Sequence, residues 1–423
     1  MLTSFLRKTA NYLLNIPILY WILLGFLITF VSFFVIPIFF DPSLEMQFKV
    51  IVPVVNPVGW DFRQLASASY DWLHFGKLPE ILYPPFTLIF FGLFTLTSLE
   101  TGYKIWVTLI LICYLLTTLV LPRAIHQRKE ISSFEILISV SGIVSYGFQF
   151  ELASGQWNLV AFSFTLLAIY LFHRQPKYRW LSYLLFTISI QLKLYPAIFF
   201  LMFIEDFSDV KNNIKRIAGL GIANIAAFFI FGFNNVLNIM NSLKGVSGGF
   251  SQSPTHIRAS LSIVSFINFF FSKGILPHKR IIYWIIENKW LPESLIIAVF
   301  GLCFLIVLYQ AYKKNTGFNP YVFMICMVGA CIIPTISFDY KLSILPASFI
   351  VSAQEIFMSN NGKQRPTMII SAFIFSIAYS STLYPFVYKP LILENSFPAL
   401  IVLLLVITLL SYMDHRLPTR QTA

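Results

Sequence analysis

Five short stretches of this chain carry side chains suited to chemistry. The first runs Pro57-Val-Gly-Trp-Asp61-Phe-Arg63-Gln64, then Ser69-Tyr70-Asp71-Trp72-Leu-His74-Phe-Gly76-Lys77, then Leu82-Tyr83-Pro84-Pro85. Phe62, Leu65, Ala66, Ser69 and Leu73 fall on one stripe at helical spacing, so 61–74 predicts an amphipathic helix lying on a membrane with Asp61 near its start. A carboxylate there also has a structural use as an N-cap or first-turn acid, at about 1 kcal/mol. Asp71 and Glu80 read as solvated charges, and His74 as an interfacial anchor beside Trp72. Tyr83-Pro84-Pro85 reads first as a stiff extended connector, because two prolines forbid helix and the residue before a proline avoids it.

The other stretches are shorter. Gly155-Gln156-Trp157-Asn158 follows Glu151; Gly and Asn form ordinary turns, while Gln with Asn offers paired donors and acceptors to a sugar or phosphate. Lys193-Leu-Tyr195-Pro196 places a lysine between two apolar runs, where it needs an anion (lipid phosphate, substrate phosphate or a carboxylate) or else snorkels to the headgroups. Ser253-Pro-Thr-His256-Ile-Arg258-Ala-Ser260 brings an imidazole and a guanidinium close together, the latter well suited to bidentate phosphate binding. Ser337-Phe-Asp339-Tyr340-Lys341 offers a carboxylate and an ammonium, whose plain structural reading is an internal ion pair.

The elements that position these residues follow from composition. Of 423 residues, 57% are hydrophobic and 11% charged, against about 25% charged in a soluble domain, so a water-soluble fold is excluded. Apolar stretches such as Ile18 to Phe40, Trp106 to Leu121, Phe134 to Tyr146, Ile217 to Phe233, Leu295 to Tyr309 and Ala399 to Tyr412 recur along the chain, and a spanning helix needs about 17 to 25 such residues. The first run is long, lacks a small-residue cleavage site and is followed by others, so it is expected to remain as a signal anchor. Cys113, Cys303, Cys326 and Cys331 sit in apolar runs without metal-ligand spacing and read as core or lipid-facing filler. The formal net charge of +12 reports topology here rather than nucleic-acid binding.

Basic clusters at Arg7/Lys8, Arg123/Arg128/Lys129, Arg174/Lys177/Arg179, Lys211/Lys215/Arg216, Lys313/Lys314, Lys363/Arg365 and Arg416/Arg420 are assigned to the cytoplasm by the positive-inside rule. Two long segments, 41–103 and 234–293, then lie outside. This assignment forbids Phe86 to Leu99 from crossing, and a 14-residue run behind two prolines fits a re-entrant or interfacial helix. Leu261 to Phe271 reads likewise as a membrane-dipping piece. Trp180 to Leu192 and Leu194 to Ile204 become two short crossings with Lys193 at the outer turn, since one long helix would bury that charge. The expectation is an all-α polytopic protein forming a single domain over 1–423, with about twelve spans and both termini cytoplasmic. The candidate residues then share the outer face, where three or more cations and at least two carboxylates suit a phosphate-bearing lipid substrate and a base.

These motifs resemble glycosyltransferase family 87, the polyprenol-phosphate-mannose-dependent mannosyltransferase type within the C-type glycosyltransferase superfamily. The resemblance rests on Asp61 with Tyr70 and Gly76, then Tyr83-Pro84-Pro85, Gly155-Gln156-x-Asn158 and Lys193-x-Tyr195-Pro196, with a weaker match at Ser337-x-Asp339-Tyr340. It implies a bundle of spans whose first outer loop, with interfacial helices, holds the catalytic aspartate, and an inverting transfer of a hexose, mannose foremost, from a polyprenyl phosphate to a lipid or glycan acceptor hydroxyl outside the cell membrane. It would make Asp61 the general base, Lys193 and Arg258 stabilisers of the leaving phosphate, and Gln156 and Asn158 orienting groups for sugar or phosphate. Tyr83, Tyr195, His256, Asp339 and Lys341 complete the expected substrate-binding set. Many family members carry a histidine-rich patch where this chain has Asp339 and Lys341, which leaves the acceptor and sugar open. No metal or other cofactor is expected from ligand spacing, although some C-type enzymes use a divalent ion. The competing class is a transporter or flippase for a lipid-linked saccharide or other anionic lipid, whose polar groups should lie mid-membrane in matching halves. A third reading, an O-antigen polymerase or ligase, leaves Asp61 followed by Tyr83-Pro84-Pro85 unexplained.

Overall fold

The computed structural model describes residues 59–76, 83–143, 145–250, 290–314, 318–334, 337–356 and 397–415, with scattered positions among 8–27, 260–266 and at 288. Among them all regular structure is helical, apart from an antiparallel bridge between Ser260 and Phe338. Helix α1 is Trp60–Phe75 and α2 is Phe86–Gly92, prolonged by a 3-10 turn, Leu93–Leu96. Thr97 and Ser98 are extended, and the Ser98 side chain caps α3, Leu99–His126. The 11 apolar residues Phe86–Leu96 are thus separate from the 28-residue helix that follows. That long helix starts at Leu99, so 99–103 join it rather than the outer segment. It loosens into a π turn at Leu116–Val120, just ahead of Pro122, whose ring cannot donate to the preceding turn and crowds it.

Next come α4 (Ser133–Ile143), α5 (Tyr146–Ser154), α6 (Asn158–Arg174) and α7 (Arg179–Leu192). A 3-10 helix, Tyr195–Phe203, returns alongside α7. Arg179 at the start of α7 pairs with Glu205 just past that helix at 2.5 Å, and His173 at the end of α6 hydrogen-bonds the Met202 carbonyl at 2.7 Å. The chain therefore reverses at Lys193, yet the reversal does not expose the lysine, which stays buried. Helix α8 (Val210–Phe228) and α9 (Phe233–Phe250) meet at 91°, with Gly232 at φ 87 between them. The apolar run that begins at Ile217 thus breaks before Phe233, and α9 leads off as the second long segment.

The last elements are α10 (Trp290–Lys314), α11 (Pro320–Ile332), a 3-10 turn Asp339–Ile344, α12 (Leu345–Ile356) and α13 (Phe397–His415). Every residue of α11 is buried, as expected of a helix that is apolar all round and sits inside a bundle. Among the described residues, Leu99–His126 and Glu293–Lys313 are long and apolar enough to cross a membrane, and counting each of two bent helix pairs as one span gives up to four. All four cysteines are free and buried in the core. At one end of the bundle Arg174 donates to the Ile125 carbonyl, His126 bonds the Val351 carbonyl, and Arg216 donates to the Phe203 carbonyl.

Candidate active site

The opposite end is organised by α1. Gly59, at φ 76, starts the helix and donates to the Ala153 carbonyl at 2.7 Å. Gly155, at φ 74, closes α5 so tightly against α1 that a Cβ there would lie 2.7 Å from the Phe62 Cβ. Tyr103 and Trp106 of α3 hold the same turn by donating to the Leu152 and Gly155 carbonyls. Phe62 is anchored among Phe91, Phe94, Tyr103 and Trp106, with ring centroids 5.4 to 5.8 Å away. Phe62, Leu65, Ala66 and Ser69 form the buried face. Leu73 continues it only in part: it is 51% exposed, like Trp60, Tyr70 and Phe75 among the exposed residues of α1, while its side chain still reaches Gly92 of α2. Tyr70 stacks on His74 at 3.9 Å, and Gly76 ends the helix at φ 64.

Docked in this way, the half-buried Asp61 meets the turn before α6. Gln156 Nε2 donates to Asp61 Oδ2 at 2.7 Å, and Lys193 Nζ donates to Gln156 Oε1 at 2.6 Å. A lysine can only donate, which fixes the amide orientation: Oε1 toward Lys193, NH₂ toward the carboxylate. Gln156 and Lys193 are 2% and 7% exposed, so the lysine does not snorkel. Its ammonium lies 4.1 Å from the Trp157 ring, 4.6 Å from Tyr83 and 5.6 Å from Tyr340, faces whose negative quadrupoles replace part of the lost hydration. Burial raises Asp61 above the ordinary carboxylate range, while the Gln156 hydrogen bond and the Lys193 charge pull it back down. Burial, and next the Asp61 charge, raise Tyr83, which stays a neutral phenol.

Two buried carboxylates complete the neighbourhood. Glu151, which the motif reading passed over, accepts from the Leu159 backbone N–H at the start of α6 at 2.8 Å and from the Ser343 hydroxyl. An acid inside an apolar run was the available signal for it. Trp157 and Tyr340, walls of the lysine cage, were hidden as aromatic residues in an aromatic-rich chain; Trp157 also donates to the Leu192 carbonyl at 2.8 Å. Tyr195 donates to the Asn158 carbonyl at 2.8 Å, and its ring lies 5.4 Å from Lys341 Nζ. Asp339 and Lys341 do not form the internal ion pair that their spacing suggests. The Lys341 ammonium reaches the Ala330 carbonyl at 3.4 Å, and neither Asp339 oxygen has a hydrogen-bond partner. Residues two apart point to different sides of a helical turn. His256 and Arg258 lie outside the described residues. Among the described residues, no three or more His, Cys, Asp and Glu side chains come together as metal ligands.

The family model of glycosyltransferase family 87 matches residues 82–334, more than half of the chain. That span takes in Tyr83, Gln156, Asn158, Lys193 and Tyr195; Asp61 lies ahead of it and Asp339 just beyond. No curated protein and no solved structure matches the chain. An all-helical chain rich in apolar helices, matched over that length, belongs to glycosyltransferase family 87 and is a membrane glycosyltransferase.

Proposed function

We propose that the protein moves a hexosyl group, mannose foremost, from a polyprenyl phosphate to a hydroxyl of a lipid or glycan acceptor, with inversion, at the extracytoplasmic face of the cell membrane. The observation that carries this reading is the Asp61–Gln156–Lys193 chain: a carboxylate and an ammonium joined through one amide rather than collapsed into an ion pair. Asp61 removes the acceptor proton as the acceptor oxygen bonds to the anomeric carbon. The bond from that carbon to the phosphate oxygen breaks, and the electron pair leaves with polyprenyl phosphate. Lys193, whose buried ammonium donates to Gln156, stabilises the charge that develops on that phosphate. Arg258 is a second candidate for the same anion. Exposed apolar side chains on the two helices beside the site, Trp60, Leu73, Phe75, Leu93 and Leu96, suit an isoprenoid tail and the surrounding lipid.

The deciding experiment incubates purified protein, in lipid nanodiscs, with radiolabelled polyprenyl-phosphate hexoses and a membrane lipid extract. Wild-type protein is expected to label an acceptor, and Asp61→Asn, equally well expressed, to lose transfer by at least about 10²-fold, the lower end of what a positioned base supplies. Full activity in Asp61→Asn would remove Asp61 from the mechanism.

A further inference from the structure

Two polar side chains beside this bonded chain are buried and unpartnered. Asn158 is 0% exposed, and neither its Oδ1 nor its Nδ2 meets a hydrogen-bond partner; Asp339 is 1% exposed, with both carboxylate oxygens in the same condition. Leaving such groups unpaired is unfavourable. Their neighbours are satisfied: Ser343 donates to Glu151, Lys341 to the Ala330 carbonyl and Tyr195 to the backbone carbonyl of Asn158 itself.

The two residues belong to segments that are tied together twice. Glu151 accepts from Leu159, next to Asn158, and from Ser343, in the same turn as Asp339. Tyr195 bonds the Asn158 carbonyl while its ring faces Lys341. Both residues also adjoin the proposed machinery: Gln156, which holds Asp61, is two positions before Asn158, and Tyr340, part of the Lys193 cage, follows Asp339.

The chemistry of the unpartnered atoms selects a ligand. A carboxyl group accepts at its carbonyl oxygen whether or not it carries a proton, and a primary amide both donates and accepts. A phosphate that only accepts would leave Asn158 Oδ1 without a donor, and an isoprenoid chain would leave every one of these atoms unpaired. A divalent cation would leave Asn158 Nδ2 without an acceptor and would sit among the ammonium groups of Lys193 and Lys341. Sugar hydroxyls donate to the carboxylate and exchange bonds with the amide. We propose that Asn158 and Asp339 form a sugar-hydroxyl subsite that selects the hexose. This inference rests on the sugar-transfer reading above.

The test compares wild type, Asp339→Asn and Asn158→Ala in nanodiscs, using polyprenyl-phosphate hexoses, versions each lacking one ring hydroxyl, and acceptors with and without a sugar headgroup. Wild type is expected to use at least one deoxygenated substrate about 10- to 100-fold less well, as for a buried polar group left unpaired. In Asp339→Asn that ratio should fall toward one. Loss of discrimination confined to donors assigns the ring to the donor; loss confined to acceptors assigns it to the acceptor. If wild type moves no sugar from any donor, the transfer reading fails and takes the subsite with it. If wild type is active and both variants discriminate as it does, only the subsite fails. A deficit in Asp339→Asn that excess manganese repairs would overturn the subsite in favour of a cation site. Asp339→Asn keeps the shape and removes no bonded partner, so its melting temperature should hold. A marked fall would show that the carboxylate has a structural partner and would overturn the premise.

Discussion

Asp61 joins two properties that pull against each other. Its burial favours the protonated form, while Gln156 and Lys193 favour the ionised one. A base works ionised, so transfer should rise with pH as Asp61 loses its proton, and the net upward shift places that limb above the roughly pH 4 of an ordinary aspartate. Gln156→Ala removes one of the two influences that hold the value down. The acid limb of kcat/KM should therefore move to higher pH, and activity lost at neutral pH should return partly in alkaline buffer. A pH profile in nanodiscs checks both statements. A limb that stays in place, or moves down, would separate Asp61 from the titration or Gln156 from Asp61. Tyr83 enters as a neutral donor in this range, because burial and the adjacent carboxylate both hold its proton.

What positions Asp61 is the contact between two tight turns, and that contact tolerates little. An alanine at 155 would have to take a left-handed conformation, at about 1–2 kcal/mol, and would also drive its Cβ into Phe62, whose ring is boxed in by four aromatic neighbours. Helix α1 must then slide and carry Asp61 away from Gln156. Gly76→Ala is the control, since Gly76 has φ 64 but nothing within 4 Å of a Cβ. Both variants should melt at lower temperature, and Gly155→Ala alone should lose most of its transfer activity; equal activities would mean that the close approach does not matter. Much of this element was legible in the sequence. The apolar stripe marked α1 from Phe62 to Ser69, and a lysine between two apolar runs marked the hairpin at Lys193. The stripe weakened at Leu73, which packs on Gly92 of α2 on one side and stays exposed on the other, because periodicity marks a face and not how much of it is covered. The 3-10 turn at Asp339 hid the directions of its side chains, and the short chain from Asp61 through Gln156 to Lys193 joins residues that lie 95 and 37 positions apart, a proximity that no local pattern encodes.

At the scale of the molecule, an arginine cluster and the proposed site lie at opposite ends of the bundle. Arg174, His126, Arg179 and Arg216 make their contacts at one end, and Asp61, Gln156 and Lys193 at the other. The positive-inside rule, which acts on short flanking loops, assigns that arginine-bearing end to the cytoplasm. The assignment carries a prediction about sidedness. Lys177, in the exposed turn between α6 and α7, belongs to the basic end, and Lys104, exposed near the start of α3 and paired with Glu100, belongs to the end that holds Asp61. The native cysteines are buried and should contribute little background, so a single cysteine can be introduced at either position. In intact cells a membrane-impermeant maleimide should label Lys104→Cys, and in inside-out vesicles it should label Lys177→Cys. The Lys104–Glu100 pair is an exposed surface contact, so breaking it should leave the fold in place and the labelling readable. Labelling of both positions from one side would mean that α3 and the α6–α7 pair do not carry the chain across the membrane, and the outward-facing site would go with that topology. The reverse pattern would keep the bundle and its chemistry but turn Asp61 toward the cytoplasm, where a donor would have to be presented from the inner leaflet.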